Sequence, residues 1–179
     1  MTDFCIFFTF AKYILFFIYN VDEWIKELSE EASFDIPSYT DCFIAENLLR
    51  KYITYRQLPL STEAKEEAEK WKKRDEDNKS KANISYDVRV SGDDMFYLDM
   101  DHLANFVDKA QDKNKDPGIS RSAVIYKPLR DAIGHTSIIT EDAKTQLRLE
   151  FRNIQARLIK LLGELQDEDK QQAESSDAS

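Results

Sequence analysis

The chain has very few residues that break helices. It holds four glycines and four prolines among 179 residues, whereas sandwiches and barrels need frequent turns built from those residues. Between the breaks lie long stretches rich in Glu, Lys, Ala and Leu, which are typical of helices. The sequence therefore predicts an all-α helical bundle in a single domain with a hydrophobic core of its own.

Apolar periodicity places the helices along the chain. A long first helix ends near Ala32, and the pattern predicts further helices over about 40–57, 62–79, 99–111, 119–134 and 141–165. Residues 84–90, ISYDVRV, alternate apolar and polar side chains, so one small β-hairpin near 84–98 is also allowed. The expected N-caps are Ser38, Thr40 or Asp41 for the second helix, and Ser61 or Thr62, Asp99 or Asp101, and Thr140 for later ones.

The N-terminal run FCIFFTFAKYILFFIY, residues 4–19, is apolar but too short to span a bilayer, and Lys12 lies near its middle. Polar residues recur from Thr9 to Glu30, nearly all at steps of three or four and interrupted only at Phe16, which predicts a helix packed against the bundle or a partner chain. Membrane attachment is the less favoured alternative. The expected division is an N-terminal hydrophobic helix over 1–37, a helical domain over 38–165, and a disordered acidic tail over 166–179.

Charge and cysteine content narrow the class of protein. Cys5 and Cys42 lack any CxxC or HxxxH partner, so we expect no zinc site, no disulfide framework and a cytoplasmic location. The net charge is −9, which disfavours indiscriminate nucleic-acid binding. Residues 121–160 nevertheless carry eight basic and four acidic side chains, a net of +4.

The motif RDAIGH lies within that basic segment. Arg130 and His135 would point about 140° apart on a continuous helix and could not reach one ligand. We expect Gly134 to take a left-handed conformation that ends the helix and redirects His135. Alternatively, two copies of the site face one another across a dimer axis.

The pattern R-D-A-I-G-H, followed by a helix rich in leucine and arginine, resembles the HEPN superfamily. The resemblance covers residues 38–165 and includes ENLLRKYI, FYLDMDHLANFV, the motif helix and the long final helix. Its hallmark is an arginine, then a polar residue, then a histidine four to six positions after the arginine. Here these are Arg130, Asp131 and His135.

The resemblance implies a metal-independent endoribonuclease, such as a toxin or an antiviral component, that acts as a homodimer with a composite Arg/His site. Arg130, Asp131 and His135 are the candidate catalytic residues. The alternative is a non-catalytic dimerisation or binding module that docks an ATPase, a nucleotidyltransferase or an antitoxin through the N-terminal helix. The candidate RNA-binding residues are Lys127, Lys144, Arg148 and Arg152. The last three, at steps of four, also fit an ordinary solvated face.

No metal or other cofactor is expected. His102 lies in a run of aspartates, Asp93, Asp94, Asp99 and Asp101, but the spacing fits no standard metal site. Helix caps and turns explain these aspartates more simply.

Overall fold

The computed structural model describes the backbone of residues 3–108 and 118–177, and the side chains of residues 21–108 and 118–164. The elements in chain order are α1 (Asp3–Tyr55), α2 (Thr62–Lys81), a 3-10 turn (Asp94–Tyr97), α3 (Met100–Val107), α4 (Ile119–Gly134) and α5 (Glu141–Asp177). The fold is all-α, as the composition predicts, and the described residues include no strand. Within that part of the chain, no helix is both long and apolar enough to cross a membrane.

The core lies where the second half of α1 packs against α3, α4 and α5. Its largest fully buried side chains include Leu49, Leu103, Tyr126, Leu147 and Ile154. These side chains come from four different helices, so burial of their apolar surface holds the bundle together. α2 adds only two small buried side chains, Ala64 and Ala68.

The first helix does not stop near Ala32. α1 is one helix of 53 residues with Pro37 inside it, so the predicted break between residues 32 and 38 is wrong. The Thr40 hydroxyl, expected to cap a new helix, instead donates to the carbonyl of Ile36 one turn earlier, at 3.0 Å. Ser38 is buried against the bundle. α1 therefore runs without interruption across the expected boundary between residues 37 and 38.

The predicted hairpin near 84–98 is also wrong. Residues 84–93 form no regular element, and the 3-10 turn follows them. Apart from the partly buried Ile84, the apolar side chains of the alternating run remain exposed, with Tyr86 at 68% and Val88 at 65%. A two-stranded hairpin needs a surface to pack on, and no such surface covers these residues. Arg89 instead attaches the segment to α2 by donating to Asp75 at 2.8 Å.

Three predicted N-caps are confirmed. Backbone amides of the first helical turn donate to the side chains of Ser61, Asp99 and Thr140, over 3.3, 3.1 and 3.2 Å respectively. α5 starts where expected but continues to Asp177 instead of ending near residue 165. The predicted disordered tail is thus helical as far as Asp177, and residues 178–179 lie outside the described part of the chain.

Non-glycine residues close the carboxyl ends of α1, α2 and α4. Gln57, Asn83 and Thr136 have φ values of 51°, 54° and 58°. At the end of α4, the amide of Ser137 donates to Ala132 and that of Thr136 to Ile133, which is the Schellman arrangement. Gly134 has a negative φ, so the expected left-handed glycine is wrong. The left-handed residue is Thr136, two positions later.

Replacing Thr136 with glycine should stabilise the protein. A β-branched residue at positive φ is strained by about 1 kcal/mol, and glycine removes that strain. We expect Thr136→Gly to raise the free energy of unfolding in urea by roughly that amount. Gly134→Ala is the control: an added Cβ would meet only the Nη1 atom of Arg130, at 3.8 Å, so no loss of stability is expected. A lower stability for Thr136→Gly would contradict this description of the α4 terminus.

Candidate functional site

Arg130, Asp131 and His135 lie at the carboxyl end of α4, where the chain turns toward α5. Arg130 and Asp131 belong to the last helical turn, and His135 is the C-cap. This position, in the connection between the last two long helices, is the one that the sequence predicts.

The guanidinium of Arg130 is held by two carboxylates. Its Nε donates to Glu46 Oε1 at 2.9 Å, and its Nη1 donates to Asp131 Oδ1 at 3.3 Å. Burial works against the charged form, but Glu46 and then Asp131 outweigh it and raise the pKa of Arg130. The side chain is 41% exposed, and its Nη2 atom makes no hydrogen bond or ion pair with the described residues. Arg130 is therefore held through Nε and Nη1, and its Nη2 group is open.

Glu46, which the sequence analysis missed, lies between two arginines. Its side chain is 10% exposed and accepts from Arg50 Nη2 at 3.1 Å as well as from Arg130. Arg50 also donates to the carbonyls of Met95 and Leu98. One buried carboxylate thus connects α1, α4 and the segment before α3. The Glu46–Arg50 spacing of four residues is visible in the sequence, but the partnership with Arg130, 84 residues away, is not.

His135 is exposed. Its ring makes no hydrogen bond or ion pair with any described residue, including Arg130. Within one chain the motif therefore supplies an anchored arginine and an accessible imidazole that do not touch each other.

Lys127, a candidate RNA-binding residue, is paired with carboxylates of α3 and its N-cap. Its Nζ lies 2.6 Å from Asp99 and 3.1 Å from Asp101, and these partners raise its pKa. His102 Nδ1 also contacts Asp99 at 2.6 Å. Burial favours the neutral carboxyl of Asp99, but the hydrogen bonds from Lys127 and His102 outweigh it and lower the Asp99 pKa to about 2.

Three basic residues of α5, Lys144, Arg148 and Arg152, differ in whether another residue of the chain binds their side chains. Lys144 Nζ donates to the carbonyl of Phe34 at 2.6 Å and lies over the Phe34 ring. Arg148 is 58% exposed and makes a long pair with Asp41, at 3.8 Å. Arg152 is exposed and has no partner among the described residues. Arg148 and Arg152 therefore remain the candidates best placed to contact a polyanion.

The thiol of Cys42 and the hydroxyl of Tyr126 are less suited to catalysis than the motif residues. Burial raises the pKa of the Cys42 thiol to about 11, so it stays protonated and is a poor nucleophile near neutral pH. The neighbouring Tyr126 hydroxyl is buried and makes no hydrogen bond of normal geometry, and burial raises its pKa as well. No group of three or more His, Cys, Asp or Glu side chains in the described residues is placed to hold a metal ion.

Comparison of the chain with protein-family models, with curated proteins and with solved structures gives no match. The roles considered for Arg130, Asp131 and His135 therefore rest on the motif and its surroundings.

Removing Glu46 should cost more stability than removing Arg130. Glu46→Gln leaves Arg50 buried without its carboxylate, and loss of one partner of a buried pair costs about 3 kcal/mol. Arg130→Gln leaves Glu46 still paired with Arg50, and Arg130 is partly exposed, so its loss should cost only about 1 kcal/mol. Urea unfolding of both variants measures the difference. Equal losses would contradict the bridging role of Glu46.

The Asp99–Lys127 pair should weaken in acid. Asp99 titrates near 3.8 when unfolded and near 2 when folded, so its contribution is complete above pH 4 and is lost as the pH falls toward 2. Asp99 is 40% exposed, so we expect only about 1 kcal/mol after screening. Asp99→Asn keeps an N-cap and should be less stable than wild type at pH 6, with a smaller gap at pH 3. A gap that does not change with pH would contradict this assignment.

Proposed function

We propose that the chain is a HEPN-type, metal-independent endoribonuclease that acts as a homodimer. The proposal is carried by the arrangement of two side chains at one end of α4. Arg130 is anchored through Nε to Glu46, and His135 is exposed at the same end of the helix. An arginine held through Nε and Nη1 can present its remaining Nη2 donors to a phosphate in a fixed geometry.

RNA supplies its own nucleophile, the 2′-hydroxyl. Cleavage requires a base that removes the proton of this hydroxyl, an acid that protonates the leaving oxygen, and positive charge beside the phosphate. In this proposal His135 transfers protons, because imidazole titrates near neutral pH. The free Nη2 group of Arg130 binds the phosphate as charge builds. Asp131 orients Arg130 by accepting from Nη1.

One histidine cannot be base and acid in a single step. The proposal therefore includes a two-fold contact between the carboxyl ends of α4 in two copies, which brings a second His135 to the site. Arg148 and Arg152, which are exposed on α5, are the side chains proposed to contact the RNA backbone outside the site. The proposed setting is a cytoplasmic toxin or antiviral system.

A binding module without catalysis is the second candidate. The observation that favours it is the amino-terminal part of α1, whose described side chains stand clear of the bundle and include exposed Trp24, Ile25 and Leu28. On this hypothesis the face docks an ATPase, a nucleotidyltransferase or an antitoxin, and Arg130 serves only to pair with Glu46.

The two candidates differ in what His135→Ala does. Purified protein incubated with total RNA in EDTA should cleave it, because no step uses a metal, and His135→Ala should abolish cleavage. The matched control is His102→Ala, which removes the other histidine of the chain and should leave cleavage intact. Since His135 is exposed, its loss should not change thermal melting. Equal cleavage by His135→Ala and wild type would reject the nuclease assignment.

Mixing variants tests the composite site. If each site needs the His135 of both chains, a dimer of one wild-type chain and one His135→Ala chain should be inactive. When wild type is refolded with increasing amounts of His135→Ala, cleavage should then fall as the square of the wild-type fraction. Wild type refolded with His102→Ala is the control and should keep its activity. A fall in direct proportion to the wild-type fraction would place both groups of a working site in one chain.

A further inference from the structure

The amino-terminal part of α1 carries an apolar face that nothing in the described chain covers. Every side chain from residue 21 to residue 33 is exposed, so this part of the helix stands outside the bundle. Large apolar side chains are among them, such as Trp24 at 57% and Leu28 at 60%. A contiguous apolar face of this kind on a soluble helix indicates a binding surface.

The exposed apolar residues form one regular stripe along α1, here called the α1 stripe. Successive members are separated by 4, 3, 4, 4, 3 and 4 residues, an average of about 3.67 per step, which keeps the stripe on one face of a straight helix. The members, all exposed, are Val21, Ile25, Leu28, Ala32, Ile36, Tyr39 and Phe43.

The α1 stripe has the same spacing when read in either direction from Ala32. In an antiparallel pair of identical helices centred there, Leu28 would meet Ile36 of the other copy, and Ala32 would meet itself. A two-fold interface requires such reciprocity, because each contact must occur twice. The small side chain at the centre lets the two backbones approach closely. We propose that a second copy of this chain covers the α1 stripe, antiparallel and centred on Ala32.

The area available is sufficient for a dimer. The two aromatic members, Tyr39 and Phe43, are about 60% exposed, and each offers on the order of 100 Å². With the aliphatic members and the adjacent Trp24, one copy offers on the order of 500–600 Å². Two copies would bury about 1,000–1,200 Å², near the lower limit for a specific interface.

The charges on α1 favour a protein partner over lipid or nucleic acid. Residues 21–33 carry five acidic side chains and one basic side chain, whereas helices that lie on anionic membranes carry Lys and Arg on their polar face. Glu23, Glu27 and Glu30 lie about 140–180° around the helix from Ala32. These three acidic groups of each copy would therefore point away from the other copy.

This contact is distinct from the one proposed for the composite site. Glu46 lies 14 residues from Ala32, which is about 21 Å along the helix, so the two Arg130–Glu46 pairs would stand roughly 40 Å apart. The α1 contact accordingly does not depend on nuclease activity. A chain that uses both contacts would assemble beyond a dimer.

Disulfide cross-linking tests the centre of symmetry. In a chain with Cys5→Ser, where the buried Cys42 is retained, Ala32→Cys should form a disulfide-linked dimer under mild oxidation. The matched control is Ser33→Cys, one residue along on an exposed position turned about 100° away, which should stay monomeric on a non-reducing gel. No cross-link for Ala32→Cys, or equal cross-links for both variants, would overturn the proposal.

Two further cysteine variants fix the orientation. In an antiparallel pair Val21→Cys should not link to itself, but it should link to Phe43→Cys when the two proteins are refolded together. A Val21→Cys homodimer without the mixed product would indicate parallel helices and would overturn the antiparallel arrangement.

Molar mass in solution tests whether the α1 stripe holds the assembly together. Leu28→Glu places a charge in the interface and should at least halve the molar mass measured by light scattering at micromolar concentration. The matched control, Ile159→Glu, replaces an aliphatic residue on α5 that is 64% exposed and should keep the wild-type mass. An unchanged mass for Leu28→Glu would overturn the proposal, whatever the outcome of the RNA cleavage assays.

Discussion

The carboxylate of Glu46 lies between two guanidinium groups, and the placement of three parts of the chain depends on it. Arg50 joins it from the same helix, and Arg130 joins it from α4. Because Arg50 also binds the carbonyls of Met95 and Leu98, the segment leading into α3 is held by the same cluster. A carboxylate so little exposed would be unstable without compensating charge. The cluster thus fixes the position of α4 relative to α1 and, with it, the edge of Arg130 that faces solvent.

Capping residues in the sequence correctly predicted where three of the helices begin. The start of α2 at Ser61, of α3 at Asp99 and of α5 at Thr140 follows from side chains that accept hydrogen bonds from the next helical turn. The motif helix was also predicted with its observed ends. The prediction of a left-handed Gly134 was wrong because glycine is enriched one position beyond the C-cap, whereas here it is the last helical residue.

Features set by distant contacts could not be predicted from the sequence. The run ISYDVRV has the alternation of a strand, but whether it pairs depends on a surface that only the complete fold can provide. Likewise, the excess of positive charge in residues 121–160 suggested basic side chains that are exposed to solvent and available to bind RNA. In the structure Lys127 pairs with aspartates, and Lys144 binds a carbonyl of α1. Part of the basic charge therefore stabilises the protein internally, and composition alone does not distinguish these two uses.

The proline in α1 has a mechanical consequence. Pro37 has no amide proton, so the backbone ladder of α1 lacks one hydrogen bond between the exposed residues 21–33 and the buried cluster at Glu46. Bending stiffness is lowest where such a bond is missing. Lys144 and the amide of Ile139 bind Phe34 and Asp35, just before Pro37. Contacts from outside α1 therefore brace the helix at the turn where its own ladder is incomplete.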